Sequence, residues 1–140
     1  MARKPTILCV DDRADNLLIR KLMLEQFGCN VVAVNDSQSC LHALNEHRID
    51  LVLIDYHLAE ATNGEDLARQ IRSALPQLPL VMMTGDPKIP ESARHTVDAV
   101  LIKGAGSPRD LLDLIEELIP GATLRSRRPQ VVPGTTPKAS

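Results

Sequence analysis

Short aliphatic runs alternate along this chain with segments whose apolar residues recur at helical spacing. The aliphatic runs predict five strands, at residues 6–10, 30–34, 51–55, 80–84 and 99–103. Strands that alternate with helical crossovers are typical of a mostly parallel sheet covered by helices. The pattern therefore predicts an α/β fold, a doubly wound five-stranded parallel sheet flanked by about five helices.

Capping and helix-breaking residues mark the ends of the predicted helices. Four of them are predicted at residues 14–28, 36–48, 63–75 and 107–119. Asp36 is a typical N-cap, Gly28 a typical stop signal, and Ser107 followed by Pro108 a typical helix start. The remaining helix lies between the last two strands, where Pro90 prevents an early start, so we expect it to be short.

Polar residues follow four of the five strands, at the point where each strand ends. They are Asp11 and Asp12, Asp55, Thr84 and Lys103. The run "LVLI" before Asp55 is continuously apolar, which favours a central strand covered on both faces. Because the carboxyl ends of parallel strands share one edge, where ligands bind, we expect these residues to lie together.

Three carboxylates that converge repel one another unless a divalent cation neutralises them. Mg²⁺ suits an all-oxygen site that keeps several waters. With the metal present, Asp55 could attack a phosphoryl group and form an acyl phosphate. Lys103 would supply a positive charge and Thr84 a hydroxyl donor to the phosphoryl oxygens. The residue types therefore predict a receiver of phosphate.

In this order and context, the five residues resemble those of the receiver domain of two-component response regulators, of the stand-alone type. The resemblance spans roughly residues 5–119, and it implies the flavodoxin-like fold. It also implies that Asp55 is the phosphoacceptor and that Thr84 and Lys103 bind the phosphoryl group. Mg²⁺ would be held by Asp55, by the metal ligands Asp11 and Asp12, and by the backbone carbonyl of His57.

The chain departs from the family pattern near the site. The segment "HLAEATNG" lacks the usual Pro after the phosphoacceptor and is one residue longer before Gly64. Gly104 replaces the usual Pro after Lys103, so we expect a trans peptide bond there. Val100 stands where the family has its switch aromatic, so coupling through rotation of a buried ring cannot operate in its usual form.

Composition narrows the class of protein further. The chain has 140 residues, 44% hydrophobic and 24% charged, as expected of one globular domain. A net charge of −2 argues against nucleic acid held by bulk electrostatics. Cys9, Cys29 and Cys40 show no metal-ligand spacing, which favours reduced thiols in a cytoplasmic protein. The first residues are too poor in apolar side chains for a signal peptide or membrane span, so no membrane partner is expected.

We expect residues 1–119 to form the receiver domain and residues 120–140, rich in Pro, Ser, Thr and Arg, to be a disordered tail. The leading hypothesis is a phosphorelay module that accepts phosphate from a histidine kinase or phosphotransfer protein and signals to an unknown downstream protein. The segment 85–95 is the candidate responsive element. The alternatives are a non-switching interaction domain and, with less support, a Mg²⁺-dependent phosphatase; a turnover enzyme is not expected.

Overall fold

One parallel sheet organises the part of the chain that the structure, a computed structural model, describes: residues 4–58, 63–104, 108–122 and 124. Its strands are β1 (Thr6–Val10), β2 (Asn30–Val34), β3 (Leu51–Asp55), β4 (Leu80–Thr84) and β5 (Ala99–Ile102). Lys103 lies just after β5 rather than inside it, but its amide still donates to the carbonyl of Thr84 at 2.7 Å. The predicted strands are therefore all present.

The strand order places β3 at the centre of the sheet. The order is β2-β1-β3-β4-β5, with every pair parallel. All five residues of β3 are buried, while the edge strands β2 and β5 are only partly covered. Ile54 pairs with Val10 and Asp55 with Met83, so β3 brings its terminal carboxylate to the edge where β1 and β4 also end. The predicted doubly wound fold is confirmed.

Five helices complete the described fold. They are α1 (Ala14–Gln26), α2 (Ser37–Glu46), α3 (Gly64–Ala74), α4 (Glu91–Thr96) and α5 (Pro108–Leu118). As predicted, α4 is short, with six residues that begin directly after Pro90, and α5 begins at Pro108. The predicted cap Ser107 lies outside the described residues. Among the described helices, none combines the length and hydropathy needed to cross a membrane.

Local hydrogen bonds explain where the helices begin and end. The Asp36 carboxylate accepts from the amide of Ser39 at 2.7 Å, so Asp36 caps α2 as predicted. Asn63 caps α3 in the same way, accepting from Asp66 at 2.9 Å. Gly28 follows α1 with a φ of 98°, a left-handed conformation that glycine adopts without steric cost.

Helices cover both faces of the sheet and create two apolar layers. On one face, α1 and α5 pack on side chains such as Leu53 and Val81. On the other face, α2, α3 and α4 pack on their neighbours in the strands, such as Ile54 and Met82. Because successive strand residues point to opposite faces, each aliphatic run supplies both layers, which is why the runs are continuous rather than alternating.

One surface of α1 is apolar without being buried. Leu17 and Leu24 face the core, but Leu18, Ile19 and Leu22 are more than half exposed. The spacing of Leu18 correctly predicts that it lies in a helix, but it does not predict that the side chain faces solvent. Adjacent residues differ by about 100° around a helix, so Leu17 and Leu18 cannot both face the core.

The described part of the chain after α5 includes two more core residues, Ile119 and Leu124. The amide of Leu124 donates to a carboxylate oxygen of Glu116 at 2.8 Å. Residues 123 and 125–140 lie outside the described part, so the disorder expected of the tail and the boundary at residue 119 stay predictions.

Candidate functional site

Three carboxylates meet at the carboxyl edge of the sheet. Asp11 follows β1, Asp12 is its neighbour, and Asp55 ends β3. One oxygen from each of them lies within 4.8 Å of the other two. Asp11 is fully buried and Asp55 is 5% exposed. Such an arrangement costs free energy unless positive charge or a metal ion balances it. We refer to these three residues as the acidic cluster.

Asp11 is held by contacts to both of its carboxylate oxygens. The Oδ1 atom accepts from the amide of Arg13 at 3.0 Å. The Oδ2 atom lies 3.4 Å from Asn16 Nδ2, 3.4 Å from Arg20 Nη1 and 3.5 Å from Lys103 Nζ. Asp11 therefore already has two cationic neighbours within the protein.

Lys103 is shared between two members of the acidic cluster. Its Nζ atom lies 3.1 Å from Asp55 Oδ2 and 3.5 Å from Asp11 Oδ2. The side chain is only 29% exposed, so the ammonium group is directed into the site rather than into solvent. The Lys103–Gly104 peptide is trans, as predicted, since the described residues contain no cis bond, and Gly104 has a φ of 78°. Glycine adopts this left-handed conformation without steric cost.

The two buried carboxylates differ in their proton affinity. Burial favours the neutral form of Asp11, but the Arg13 amide and the charges of Lys103 and Arg20 outweigh it and lower the pKa. Burial raises the pKa of Asp55, and the nearby charge of Asp11 adds to this effect against the opposing contribution of Lys103. Asp11 is therefore the more strongly ionised of the two.

The backbone around Asp55 is fixed by β4 and by the start of α3. Tyr56 donates its amide to the carbonyl of Met83 at 2.8 Å and accepts from the amide of Gly64 at 2.9 Å. A Cβ atom on Gly64 would lie 2.4 Å from the Asp55 carbonyl oxygen and 2.7 Å from Tyr56 Cα. Only glycine allows α3 to begin this close to the strand, so Gly64 helps to position Asp55.

Thr84 ends β4 at the same edge, but its hydroxyl group is engaged elsewhere. It donates to the carbonyl of Asp86 at 3.0 Å and accepts from the Asp86 amide at 3.1 Å. The hydroxyl group of Thr84 thus stabilises the loop after β4. On the neighbouring strand β5, Val100 is partly buried and packs against the core formed by α2, α3 and α4.

The remaining predicted residues lie near the cluster. The amide of His57 donates to Asp55 Oδ1 at 3.3 Å, and its ring meets the Tyr56 ring edge-on with centroids 4.9 Å apart. The predicted role of the His57 carbonyl as a metal ligand stays a prediction. A carboxylate oxygen of Asp12 lies within 4.8 Å of an oxygen of Asp11 and of Asp55.

Sequence reasoning missed three residues that contact the site. Asn16 and Arg20 touch Asp11, and Gly64 touches the backbone of Asp55. The available signal was the spacing of four from Asp12 to Asn16 and from Asn16 to Arg20, which places Asn16 and Arg20 on one face of α1. For Gly64 the sequence shows a glycine at a helix start but not what lies opposite.

The family model of the response regulator receiver domain matches residues 7–116. The match covers most of the chain and includes all three members of the acidic cluster, Thr84 and Lys103. The chain therefore belongs to the receiver domain family of two-component systems. Receiver domains are signalling modules rather than turnover enzymes, and they bind Mg²⁺ at an acidic pocket.

Relatives with known names are much longer proteins. The chain is 29% identical over 84 residues to the autoinducer 1 sensor kinase/phosphatase LuxN of Vibrio campbellii, covering 60% of the chain and 10% of LuxN. It is 36% identical over 72 residues to the sensor protein GacS of Pseudomonas syringae, covering 51% and 8%. The sensory/regulatory protein RpfC of Xanthomonas campestris is 29% identical over 138 residues, covering 96% and 18%. The chain thus spans less than a fifth of each.

Solved structures share the fold over most of the chain. A receiver domain protein from Methanospirillum hungatei is 27% identical with a TM-score of 0.72, covering 81% of this chain and 92% of that one. A response regulator receiver protein from Pseudomonas putida is 28% identical with a TM-score of 0.75, covering 84% and 99%. TrrA of Thermotoga maritima, solved in complex with Mg²⁺ and beryllium fluoride, superposes with a TM-score of 0.76 at 19% identity, covering 82% and 99%.

Proposed function

We propose that this chain is a phosphoacceptor module of a two-component phosphorelay, in which Asp55 receives the phosphoryl group. One observation carries the proposal: the Asp55 carboxylate ends a fully buried strand and lies 3.1 Å from Lys103 Nζ, inside a cluster of three carboxylates. A carboxylate is a competent nucleophile for phosphorus when its surroundings neutralise the charge of the incoming group. The proximity of Lys103 and of the other two carboxylates supports this role for Asp55.

The residues present fit a magnesium ion. The acidic cluster offers three hard oxygen donors within 4.8 Å of one another, and an all-oxygen set is what Mg²⁺ prefers. Asp11, Asp12 and Asp55 would hold the ion, together with the His57 carbonyl. When bound, the ion supplies positive charge to the carboxylates and to the phosphoryl oxygens. Lys103, which follows β5 at the same edge of the sheet, would provide the second positive charge.

The proposed donor is a phosphohistidine on a histidine kinase or a phosphotransfer protein. A carboxylate oxygen of Asp55 forms the new O–P bond while the N–P bond of the donor breaks, and the electron pair of that bond returns to the donor imidazole. Named relatives such as the sensor protein GacS and the sensor kinase/phosphatase LuxN support this class of donor. The phosphorylated chain would then bind a downstream protein with altered affinity.

We propose residues 85–95 as the segment that responds to phosphorylation. The Thr84 hydroxyl group has one proton to donate, and it donates that proton to the carbonyl of Asp86, which lies in this segment. Donation to a phosphoryl oxygen would therefore end the bond to the Asp86 carbonyl and loosen the loop after β4. Amide exchange in residues 85–95 is expected to change when an acyl-phosphate mimic binds, and unchanged exchange would contradict this role.

The test is intact-mass spectrometry after incubation with Mg²⁺ and acetyl phosphate. The wild-type chain is expected to gain a single phosphoryl adduct that requires Mg²⁺. Asp55→Asn, which removes the nucleophilic charge and keeps the size of the side chain, is expected to gain none. Asp66→Asn is the matched control, because Asp66 is an exposed carboxylate on α3 outside the cluster.

The outcomes separate the site from the fold. Circular dichroism and a thermal unfolding scan establish that each variant is folded before labelling. An adduct on Asp55→Asn equal to that of the wild type would place the phosphoryl group elsewhere. If the folded wild-type chain gains no adduct, the proposed phosphoacceptor function is wrong.

A second candidate function is a non-switching interaction domain, and Val100 favours it. An aliphatic side chain packed against the core of α2, α3 and α4 offers no ring that rotates between two positions. In this case a partner would bind a constant surface, and its affinity would be equal for wild type and Asp55→Asn under phosphorylating conditions. A difference in affinity that depends on the adduct would reject this candidate.

A further inference from the structure

Arg20 is a second cation at the acidic cluster, and most of its side chain is shielded from solvent. It lies on α1 four residues after Asn16, and both side chains reach the Oδ2 atom of Asp11 at 3.4 Å. Helical side chains lean toward the helix N-terminus, which lets Arg20 reach back over one turn to a residue that precedes α1. Its side chain is only 12% exposed, so the contact is not a loose surface pair.

Arg20 and Lys103 divide the carboxylates between them unequally. Lys103 lies nearer to Asp55, at 3.1 Å, than to Asp11, at 3.5 Å. Arg20 contacts Asp11 alone among the carboxylates of the cluster. Because Asp11 is fully buried, loss of its cationic partner would leave an ionised group poorly compensated. When the cluster holds only protein charges, Asp11 therefore has two cationic partners, and Arg20 is the one that it does not share with Asp55.

A metal ion at the cluster changes the balance of charge. Mg²⁺ would take an oxygen of Asp11, and the oxygen that Arg20 contacts has two further neighbours, Asn16 and Lys103. A divalent cation and a guanidinium group that share one carboxylate repel each other, and the repulsion is strong where solvent screening is poor. Binding of the ion must therefore weaken or displace the Arg20 contact.

We propose that Arg20 is a positioning residue that holds Asp11 in place without metal and thereby lowers the affinity of the cluster for Mg²⁺. The inference rests on the proposed function, since it takes the acidic cluster as a magnesium site. Arg20 therefore competes with the ion for the Asp11 carboxylate. Its removal should make the folded protein less stable in chelator and, at the same time, a tighter binder of Mg²⁺.

These opposite signs distinguish competition from a purely structural role. A residue that only supports the fold would, when removed, disorder Asp11 and weaken metal binding as well as stability. A residue that supports the metal ligands from outside would also weaken binding when removed. Only competition predicts a loss of stability in chelator together with a gain in affinity.

The experiment is calorimetric titration of MgCl₂ into wild type, Arg20→Gln and Arg20→Lys, with thermal unfolding of each in EDTA. Arg20→Gln is expected to bind Mg²⁺ roughly threefold to tenfold more tightly, the effect of removing one nearby charge that is partly screened. It is also expected to unfold at a lower temperature in EDTA. Arg20→Lys keeps the charge with fewer hydrogen-bond donors. We expect its Mg²⁺ affinity and its unfolding temperature to lie between those of wild type and Arg20→Gln.

Lys21→Gln is the matched control. Lys21 is the next residue of α1, and the change removes the same charge from a half-exposed pair with Glu25 at 2.7 Å, outside the acidic cluster. It is expected to leave both measurements close to those of wild type. If Arg20→Gln matches Lys21→Gln in Mg²⁺ affinity, or binds Mg²⁺ more weakly than wild type, the proposal is wrong.

Asp55→Asn separates failure of this inference from failure of the proposed function. If wild type binds Mg²⁺ and Asp55→Asn does not, the metal site stands and the Arg20 variants decide the inference. If wild type binds no Mg²⁺, the proposed metal site fails in the native chain. In that case Mg²⁺ binding gained by Arg20→Gln would support competition, and continued absence of binding would overturn it.

Discussion

The acidic cluster and the segment after β4 lie at the same edge of the sheet, but their residues differ in how closely they match the receiver family pattern. At the cluster, Asp11, Asp55 and Lys103 lie within contact distance, as the family pattern predicts. At the end of β4, Thr84 donates to the carbonyl of Asp86 in the loop that follows. On β5, Val100 stands where the family has its switch aromatic. The difference teaches that the chemistry proposed for the acidic cluster and the response proposed for the loop rest on separate residues.

The largest expected effect concerns Lys103, which joins the two sides of the cluster. Lys103→Met should slow adduct formation with acetyl phosphate by roughly a hundredfold or more, because it removes a charge aimed at the transferred group. Time-resolved mass spectrometry measures the rate. Lys88→Met, in the exposed loop after β4, is the control and should label at the wild-type rate. Equal rates for both variants would show that Lys103 is not part of the phosphoryl site.

Gly64 tests whether the start of α3 fixes the position of Asp55. Gly64→Ala should lower the free energy of unfolding by about 1–3 kcal/mol, because the new Cβ atom would overlap the backbone of Asp55 and Tyr56. It should also slow phosphorylation. In Gly85→Ala the added Cβ meets nothing within 4 Å, so both quantities should stay near wild type. Urea unfolding measures the stabilities, and equal values for the two variants would refute the close approach.

Thr84 sharpens the comparison from the side of the loop. Thr84→Val should lower the free energy of unfolding by about 1–3 kcal/mol, because it removes both hydrogen bonds between the Thr84 hydroxyl group and the Asp86 backbone, each worth about 0.5–1.5 kcal/mol. Thr84→Ser keeps the hydroxyl group and should restore amide-exchange protection at Asp86. If protection at Asp86 is the same in the Val and Ser variants, the hydroxyl group does not hold the loop.

The smallest expected effect is a pH dependence in the core between α2 and the sheet, where Cys40 is buried. Burial raises the pKa of the Cys40 thiol to about 12, with a further contribution from the charge of Asp36. Below about pH 9, the ordinary range for a thiol, both folded and unfolded chains keep this proton. Above it the unfolded chain loses the proton first, so stability falls as the pH rises from about 9 toward 12.

Cys40→Ala checks this assignment. Its free energy of unfolding should fall less steeply than that of wild type between pH 8 and pH 11 in urea titrations, although the variant is less stable at pH 8 because it leaves a small cavity. Parallel slopes would mean that the thiol titrates alike in both states, and hence that the core around α2 admits water.

Much of the fold was predictable because its signals are local. Buried strands read as continuous aliphatic runs, and Asp36 and Pro90 act on the backbone beside them, so helix starts follow from the sequence. The members of the acidic cluster were predictable for a related reason: the carboxyl ends of parallel strands meet at one edge, whatever the side chains.

Contacts that cross space through long side chains were not predictable. Arg20 reaches Asp11 only because of the rotamer it adopts on α1, and the same helix leaves Leu18 exposed although its spacing is helical. The partner of Thr84 depends on the path of the loop after β4. In each case the deciding quantity is a direction in three dimensions that residue type and spacing do not encode.

The position of Tyr56 has a practical consequence. The chain has one tyrosine and no tryptophan, so nearly all of its ultraviolet emission comes from the residue beside Asp55. The Tyr56 backbone is tied to both β4 and α3, and its ring lies against His57. Fluorescence of the unlabelled protein therefore reports on a single place in the fold, and the proposed binding of metal or phosphoryl ligands can be tested there in real time without an introduced dye.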